Sequence, residues 1–125
     1  MKRRTATWVL LPALLLLTGA MAGDAGEVVG IRLHGRFFSE PATVRLLVTV
    51  EPDADNRTLR IEADSADMFR ASDVTLSGAN DKRLHTIEFK NLSAGAYTLR
   101  AEVRSTSGVR GAATSEVLVT GMGMR

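Results

Sequence analysis

Hydrophobic and polar residues alternate along most of the chain after residue 28, as they do in β-strands that bury one face. The clearest case is 44–50 (VRLLVTV), where Val or Leu at every even position is separated by Arg45, Leu47 and Thr49. Segments with this period occupy residues 29–33, 44–50, 59–63, 74–76, 85–89, 97–103 and 117–119. The pattern therefore predicts seven β-strands.

Short stretches rich in Gly, Pro, Asp, Asn and Ser separate most of these segments, and such residues favour turns. They lie at 39–41, 51–56, 77–81, 93–95 and 105–108. A parallel sheet would need crossover helices, but after the N-terminal region only 65–69 suits a helix, of one turn at most. We therefore expect an all-β domain in which two antiparallel sheets pack face to face.

The N-terminus has the composition of a secretory signal peptide. Three basic residues at 2–4 precede the uncharged apolar run 8–17, and 18–22 (TGAMA) ends in small residues. The run is shorter than the roughly 20 residues that cross a bilayer as a helix, so a retained anchor is the less favoured alternative. We expect cleavage after Ala22 and export to the periplasm or the medium without a stable membrane anchor. Residues 23–120 then form the domain and 121–125 a flexible tail.

Removal of residues 1–22 changes the charge of the protein. The 16 basic residues become 13, against 14 acidic ones, so the formal net charge falls to −1. Basic residues are interspersed with acidic ones and form no stripe, which argues against nucleic acid as a partner. The chain has no cysteine, so disulfides, thiolate metal sites and a lipid-modified N-terminal cysteine are excluded.

Residues 92–99 (LSAGAYTL) resemble the entry to the sixth strand of immunoglobulin-like and fibronectin-III-like sandwiches. In those domains an L-x-x-G-x-Y-x-L pattern forms a tyrosine corner, in which the ring packs inward and the hydroxyl bonds upstream backbone. The resemblance implies that Gly95 supplies the turn and Tyr97 the corner. Antibody domains differ, because residues 23–125 hold no Trp and no Cys pair; Phe89, Phe69 or Phe37 is expected to fill the core.

Two sets of residues are candidates for binding a metal. Glu51, Asp53, Asp55 and Asn56 form an oxygen-rich loop of the kind that calcium requires. Counted from Asp53, however, the sixth and twelfth positions of an EF-hand loop would hold Thr58 and Asp64 instead of Gly and Glu. We therefore favour a solvated turn in which Asp and Asn cap their own backbone, and we assign no metal ligand there.

The second set consists of His34, His85, Met122 and Met124, which together would suit copper. Because His85 shares a strand face with Ile87 and Phe89, we favour a partly buried histidine at the sheet margin instead. Periplasmic copper carriers of similar size usually begin with His, whereas this domain would begin at Gly23.

No residue is assigned a catalytic or cofactor-binding role. The serines lie in turns without a G-x-S-x-G elbow, and no Gly-rich loop leads into a helix that could hold phosphate. Phe37 and Phe38 are the candidate partner contacts, because adjacent strand residues face opposite sides and one ring should point outward. The alternative, which we favour, is that a neighbouring loop covers the outward-facing ring.

The sequence thus predicts an exported, non-catalytic module that interacts with another envelope or secreted protein. Binding would use the loops at one end of the sandwich or an exposed sheet edge. Copper or calcium binding is the first alternative. Inhibition of extracellular proteases is the second, although the N-P-T-T-G-Y loop of immunoglobulin-like cysteine-protease inhibitors is missing.

Overall fold

Eight β-strands account for most of residues 28–121, the part of the chain that this computed structural model describes. They are β1 (Val29–Leu33), β2 (Phe37–Ser39), β3 (Ala42–Val50), β4 (Thr58–Asp64), β5 (Phe69–Thr75), β6 (Leu84–Leu92), β7 (Gly95–Ser105) and β8 (Gly108–Thr120), with one 3-10 turn at Gly78–Asn80. The all-β class predicted from the sequence is confirmed. No helix within residues 28–121 is long and apolar enough to cross a membrane. The proposed signal peptide lies outside the described residues.

The strands form a three-stranded sheet in the order β1-β3-β6 and a five-stranded sheet in the order β2-β8-β7-β4-β5. Two expectations were wrong: there are eight strands where seven were predicted, and β2 pairs with β8 in parallel, whereas an entirely antiparallel arrangement was expected. Both differences arise because the chain leaves one sheet after Leu33 and joins the other at Phe37. A strand of three residues is too short to show alternation, so the hydrophobic pattern did not reveal β2.

The core lies between the sheets and consists of the alternate residues that face inward. Val44, Leu46 and Val48 on β3 are fully buried, and so is Leu99 on β7 of the other sheet. Tyr97 is the largest fully buried side chain. The core residues are Val29, Ala42, Val44, Leu46, Val48, Val50, Leu59, Ile61, Ala63, Leu76, Ile87, Phe89, Leu92, Tyr97, Leu99, Ala101, Val103, Val117 and Val119.

The expected aromatic filling of the core is correct for Phe89 and wrong for the other two phenylalanines. Phe89 is 4% exposed, while Phe69 is 54% exposed and Phe37 is 77% exposed. Phe69 pairs with the exposed Asp64, and so lies at an outward position of the register. Apolar character alone did not distinguish the two faces of these short edge segments.

The segment before β5 is a bend and not the helical turn considered for 65–69. The Ser65 N–H donates to the Met68 carbonyl at 2.9 Å, and the Met68 N–H donates to Ser65 Oγ at 3.1 Å. This closed bend lets β5 start at Phe69, five residues before the predicted strand. The pattern missed the first part of β5 because an edge strand carries few apolar residues; its interior positions include Arg70 and Ser72.

A β-bulge lies near the hairpin that joins β7 to β8. Val103 pairs with Gly111 and Arg104 pairs with Val109, which leaves Arg110 as an extra residue. Gly111 is needed at this place because a Cβ atom there would lie 2.8 Å from the Cβ of Val28. The bulge therefore allows β8 to approach the residues that lead into β1, and it changes the direction in which Arg110 points.

Candidate functional site

Two exposed apolar side chains lie next to each other on the outer face of the five-stranded sheet. Phe37 on β2 pairs with Leu118 on β8, and Leu118 pairs with Ala96 on β7. We call these three residues the Phe37 row. Phe37 is 77% exposed and Leu118 is 40% exposed. The row lines a shallow groove of about 340 Å³ that also contacts Arg36, Thr98 and Glu116.

Alternation along β2 determines which of the two phenylalanines is exposed. Phe38 pairs with the buried Val119 and packs partly against the core. The Thr120 hydroxyl donates to the Phe38 carbonyl at 3.2 Å, and the Leu118 N–H donates to the Arg36 carbonyl at 2.7 Å. These bonds hold β2 to β8, so Phe37 points outward. The sequence analysis favoured a neighbouring loop that covers the outward-facing ring. That expectation was wrong, because Phe37 is exposed.

Beside the Phe37 row lies a second row, formed by Glu116, Thr98, Asp64 and Phe69 on β8, β7, β4 and β5. We call it the acidic row. Within residues 28–121, neither the Glu116 nor the Asp64 carboxylate has a hydrogen-bond or ion-pair partner. Arg36 is the nearest cation of the groove, but its Nη1 donates to Ser115 Oγ at 3.2 Å and to the Glu116 carbonyl at 3.0 Å. Neither carboxylate therefore forms an ion pair within the described residues, and the guanidinium of Arg36 is the one positive charge that lines the groove.

The centre of the same face is also charged, but there the charges neutralise one another. The residues involved are Arg60, Glu62, Asp73, Arg100, Glu102 and Arg104. Glu102 accepts hydrogen bonds from Arg100 at 2.8 Å and from Arg104 at 2.7 Å. These bonds lower the pKa of Glu102 below its ordinary value, with the Arg100 bond as the larger cause.

Arg60 completes this central network. Its Nε donates to Glu62 at 2.9 Å, and its Nη1 lies 3.3 Å from both oxygens of Asp73. The bond to Glu62, followed by the bond to Asp73, raises the pKa of the guanidinium. Every charge in this network therefore has an ion-pair partner.

The oxygen-rich loop between β3 and β4 uses its oxygens internally. Asp53 Oδ1 accepts the Asp55 N–H at 2.8 Å, which is the self-capping turn that was favoured from the sequence. Asn56 is buried; its Nδ2 donates to the Glu51 carbonyl at 2.9 Å, and its Oδ1 accepts from Arg110 Nη1 at 2.7 Å. Arg110 Nη2 also lies 3.2 Å from Asp53 Oδ2. The guanidinium of Arg110 thus already compensates the Asp53 carboxylate and satisfies Asn56 Oδ1.

The two histidines lie in different surroundings. His85 is 4% exposed, on the inward face of β6, and its Nε2 has no hydrogen-bond partner. It is thus more deeply buried than the margin position expected from the sequence. His34 is exposed in the turn between β1 and β2. Residues 28–121 contain no group of three or more His, Asp or Glu side chains arranged to hold a metal ion, and Met122 and Met124 lie outside that range.

Tyr97 lies with its ring in the core and its hydroxyl at the start of β7. The ring is 1% exposed. The hydroxyl donates to the Ser93 carbonyl at 2.8 Å and also contacts Met68 Sδ at 3.4 Å. Gly95 is the first residue of β7, directly after the tight connection from β6. The hydroxyl bond ties the connection at 93–94 to the strand that follows it.

Solved structures of other proteins have a similar fold. Superoxide reductase (neelaredoxin) from Ignicoccus hospitalis matches with a TM-score of 0.55 and 11% identity, over 77% of this chain and 81% of that one. The CARDB domain of a Pyrococcus furiosus protein, crystallised in complex with di-metal ions, matches with a TM-score of 0.50 and 14% identity, over 76% of this chain and 93% of the domain. The solution structure of the same CARDB domain matches with a TM-score of 0.52 and 16% identity, over 74% of this chain and 93% of the domain. The chain has an immunoglobulin-like sandwich fold.

At these identities the likeness concerns the fold alone, because unrelated activities are found on one fold. No protein-family model matches the sequence, and no curated protein matches it either. The function of this sandwich therefore has to be argued from its own surface.

Proposed function

We propose that this protein is an exported, non-catalytic β-sandwich module that binds another envelope or secreted protein through the Phe37 row. The observation that carries the proposal is the direct pairing of Phe37 with Leu118, both exposed on one face. Burial of an aromatic ring against a partner recovers the free energy that its exposure to water costs. Aromatic residues of this kind dominate the energetics of many protein interfaces.

The chemistry of the remaining surface supports a role in binding over one in catalysis. Within 28–121, the charged side chains at the centre of the five-stranded sheet are paired, and Asp53 and Asn56 are held by Arg110. The one buried imidazole, that of His85, faces the core and not a cleft. We therefore interpret the paired charges and His85 as structural. The superoxide reductase of similar fold is only 11% identical and does not change that interpretation.

Two further features support a secreted sandwich module. The hydroxyl of Tyr97 bonds the backbone four residues upstream, and we interpret this bond as the tyrosine corner of immunoglobulin-like domains. The sequence of 1–22 has the composition of a signal peptide. Expression in a bacterial host followed by mass spectrometry of the exported product should give an N-terminus at Gly23, within two residues. A product that stays in the cytoplasm at full length would contradict export.

Capture experiments with matched surface variants test the binding proposal. The tagged mature protein, Phe37→Ser and Val109→Ser are each incubated with envelope extract, and retained proteins are identified by mass spectrometry. Val109 is the control because it is 55% exposed near the opposite end of β8. We expect a partner that the wild type and Val109→Ser retain and Phe37→Ser loses. Equal retention by all three, with unchanged unfolding midpoints, would refute the proposed face.

A further inference from the structure

We infer that the partner presents an extended segment in which an apolar residue and a Lys or Arg lie two positions apart. The apolar side chain contacts the Phe37 row, and the basic side chain contacts the acidic row. This inference rests on the proposed function, because it specifies what the Phe37 row binds. It follows from the size of the apolar row, the unbalanced charge beside it and the spacing of the two rows.

The size of the Phe37 row favours a short segment over a broad interface. The row spans three strands, which lie about 4.8 Å apart in a sheet, and its groove has a volume of about 340 Å³. That space suits one or two side chains. A stable complex of two folded domains buries roughly 800 Å² on each partner, which Phe37, Leu118 and Ala96 do not provide. A second copy of this chain is therefore a poor occupant.

The charge beside the row selects the chemistry of the partner. Glu116 and Asp64 have no partner within the described chain, and Asp67 is exposed in the bend that follows β4. Neighbouring rows on one strand are about 7 Å apart, which is within the screening length of about 8 Å at physiological salt. An apolar contact on Leu118 thus lies in the field of Glu116. Glu116, Asp64 and Asp67 together outweigh the one positive charge that lines the groove, that of Arg36. The resulting negative field attracts basic side chains and repels anionic lipid headgroups and nucleic acid.

The spacing of the rows sets the sequence pattern of the partner. Leu118 and Glu116 are separated by one residue on β8, and so their side chains lie on the same face. An extended segment that runs along the strands places its own side chains at the same period. An apolar residue over Leu118 therefore brings the residue two positions away over Glu116 and Thr98. A Lys or Arg over Thr98 lies between Glu116 and Asp64, about 4.8 Å from the strand of each.

Three synthetic peptides test the inference directly. The first peptide, SVSKSVSK, has serine at every odd position and valine or lysine in turn at the even ones. In the second peptide glutamate replaces each lysine, and in the third serine replaces each valine. Binding to the purified mature protein is measured by fluorescence anisotropy, and the site by the methyl NMR signals of Leu118 and Ala96. We expect the first peptide to bind at least tenfold more tightly than the others, to shift both signals and to weaken as salt is added. Equal affinities, or no binding by the first peptide, would overturn the inference.

Protein variants separate the inference from the proposed function. The double variant Asp64→Asn/Glu116→Gln should weaken the first peptide about fivefold, which is the loss expected from two exposed charge contacts. Asp55→Asn, at the opposite end of the domain, should leave its affinity unchanged. If the double variant retains the extract partner as well as the wild type does, while Phe37→Ser loses it, the inference fails and the proposed function stands. Binding of the wild type to phosphatidylglycerol vesicles would also overturn the inference.

Discussion

The side-chain oxygen of buried Asn56 accepts a 2.7 Å hydrogen bond from the guanidinium of Arg110, a residue 54 positions away in the sequence. The bulge in β8 places Arg110 at this loop, because the extra residue redirects its side chain. Asn56 in turn donates to the Glu51 carbonyl. The side-chain amide of Asn56 thus connects the β3–β4 loop to β8, the last strand of the sequence.

We expect Asn56→Ala to lower the free energy of unfolding by about 2 kcal/mol, because it removes a bond to a charged donor and leaves the Glu51 carbonyl without its partner. Urea denaturation measures the change. The exposed Asp55→Ala is the control and should cost under about 0.5 kcal/mol. The Asn56→Ala/Arg110→Ala double variant should lose less than the sum of the single variants. Additive losses would contradict the coupling.

Calcium should not stabilise the folded protein. Arg110 already occupies oxygens of Asp53 and Asn56, and a ligand raises the unfolding midpoint only if it binds the folded state. Thermal unfolding with and without about 5 mM CaCl₂ should therefore give equal midpoints. A reproducible rise of several degrees with calcium, absent with magnesium, would show that the loop binds the metal in spite of Arg110.

His85→Leu should leave the protein at least as stable as the wild type, with a gain of about 1 kcal/mol. Its Nε2 is buried without a partner, and replacing an unsatisfied polar group by an apolar one removes a desolvation cost. Chemical denaturation provides the measurement. His34→Leu, at an exposed turn position, should change stability by less than about 0.5 kcal/mol. A loss above about 1 kcal/mol in His85→Leu would mean that the imidazole makes a stabilising polar contact.

Tyr97→Phe should cost about 1 kcal/mol, the contribution of one buried hydrogen bond. The ring remains in the core, so the variant isolates the polar contacts of the hydroxyl, of which the 2.8 Å bond to the Ser93 carbonyl is the shortest. Ser93→Ala keeps that carbonyl and, of the contacts of the hydroxyl, removes only the long 3.5 Å one with Ser93 Oγ, so it should cost less than Tyr97→Phe. If Tyr97→Phe has wild-type stability in equilibrium denaturation, the hydroxyl does not stabilise the connection between β6 and β7.

Stability should fall in acid because the pKa of Glu102 is lower in the folded state than its ordinary value of 4.5. The folded protein then binds fewer protons than the unfolded chain, so the contribution is complete above pH 4.5 and is lost as the pH falls through the folded pKa. Hydrogen bonds lower the pKa of Glu88 and Asp81 in the same direction. We expect a falling midpoint from about pH 6 to about pH 3 and a weaker fall in Glu102→Gln. Equal slopes would contradict the role of Glu102.

Alternation of side chains was sufficient to predict the fold class and the interior of most strands. It works where one face of a strand is buried and the other is not, as on β3 and β7. It failed on β2 and on the first half of β5, which lie at the two edges of the five-stranded sheet. Edge strands contribute little to the core, and so their sequences carry little of the period that burial imposes.

The candidate site was predicted only in part, because it depends on pairing between distant strands. Adjacent phenylalanines predicted that one ring faces outward, and Phe37 is exposed. No local pattern predicted that Leu118 would lie beside it, or that Asp64 and Glu116 would share a row. Arg110 was missed for the same reason, since its direction is set by a bulge that appears only when β7 and β8 are paired.

The division of the N-terminal residues between two sheets affects the order in which the protein is completed. β1 pairs with β3, which follows closely in the sequence, but β2 pairs with β8, the last strand. Contacts of such high sequence separation form slowly. A chain synthesised from its N-terminus therefore carries β2 without its partner until the last strand is available. The Phe37 row does not exist before that moment, so only a finished molecule can present the face that we propose binds a partner.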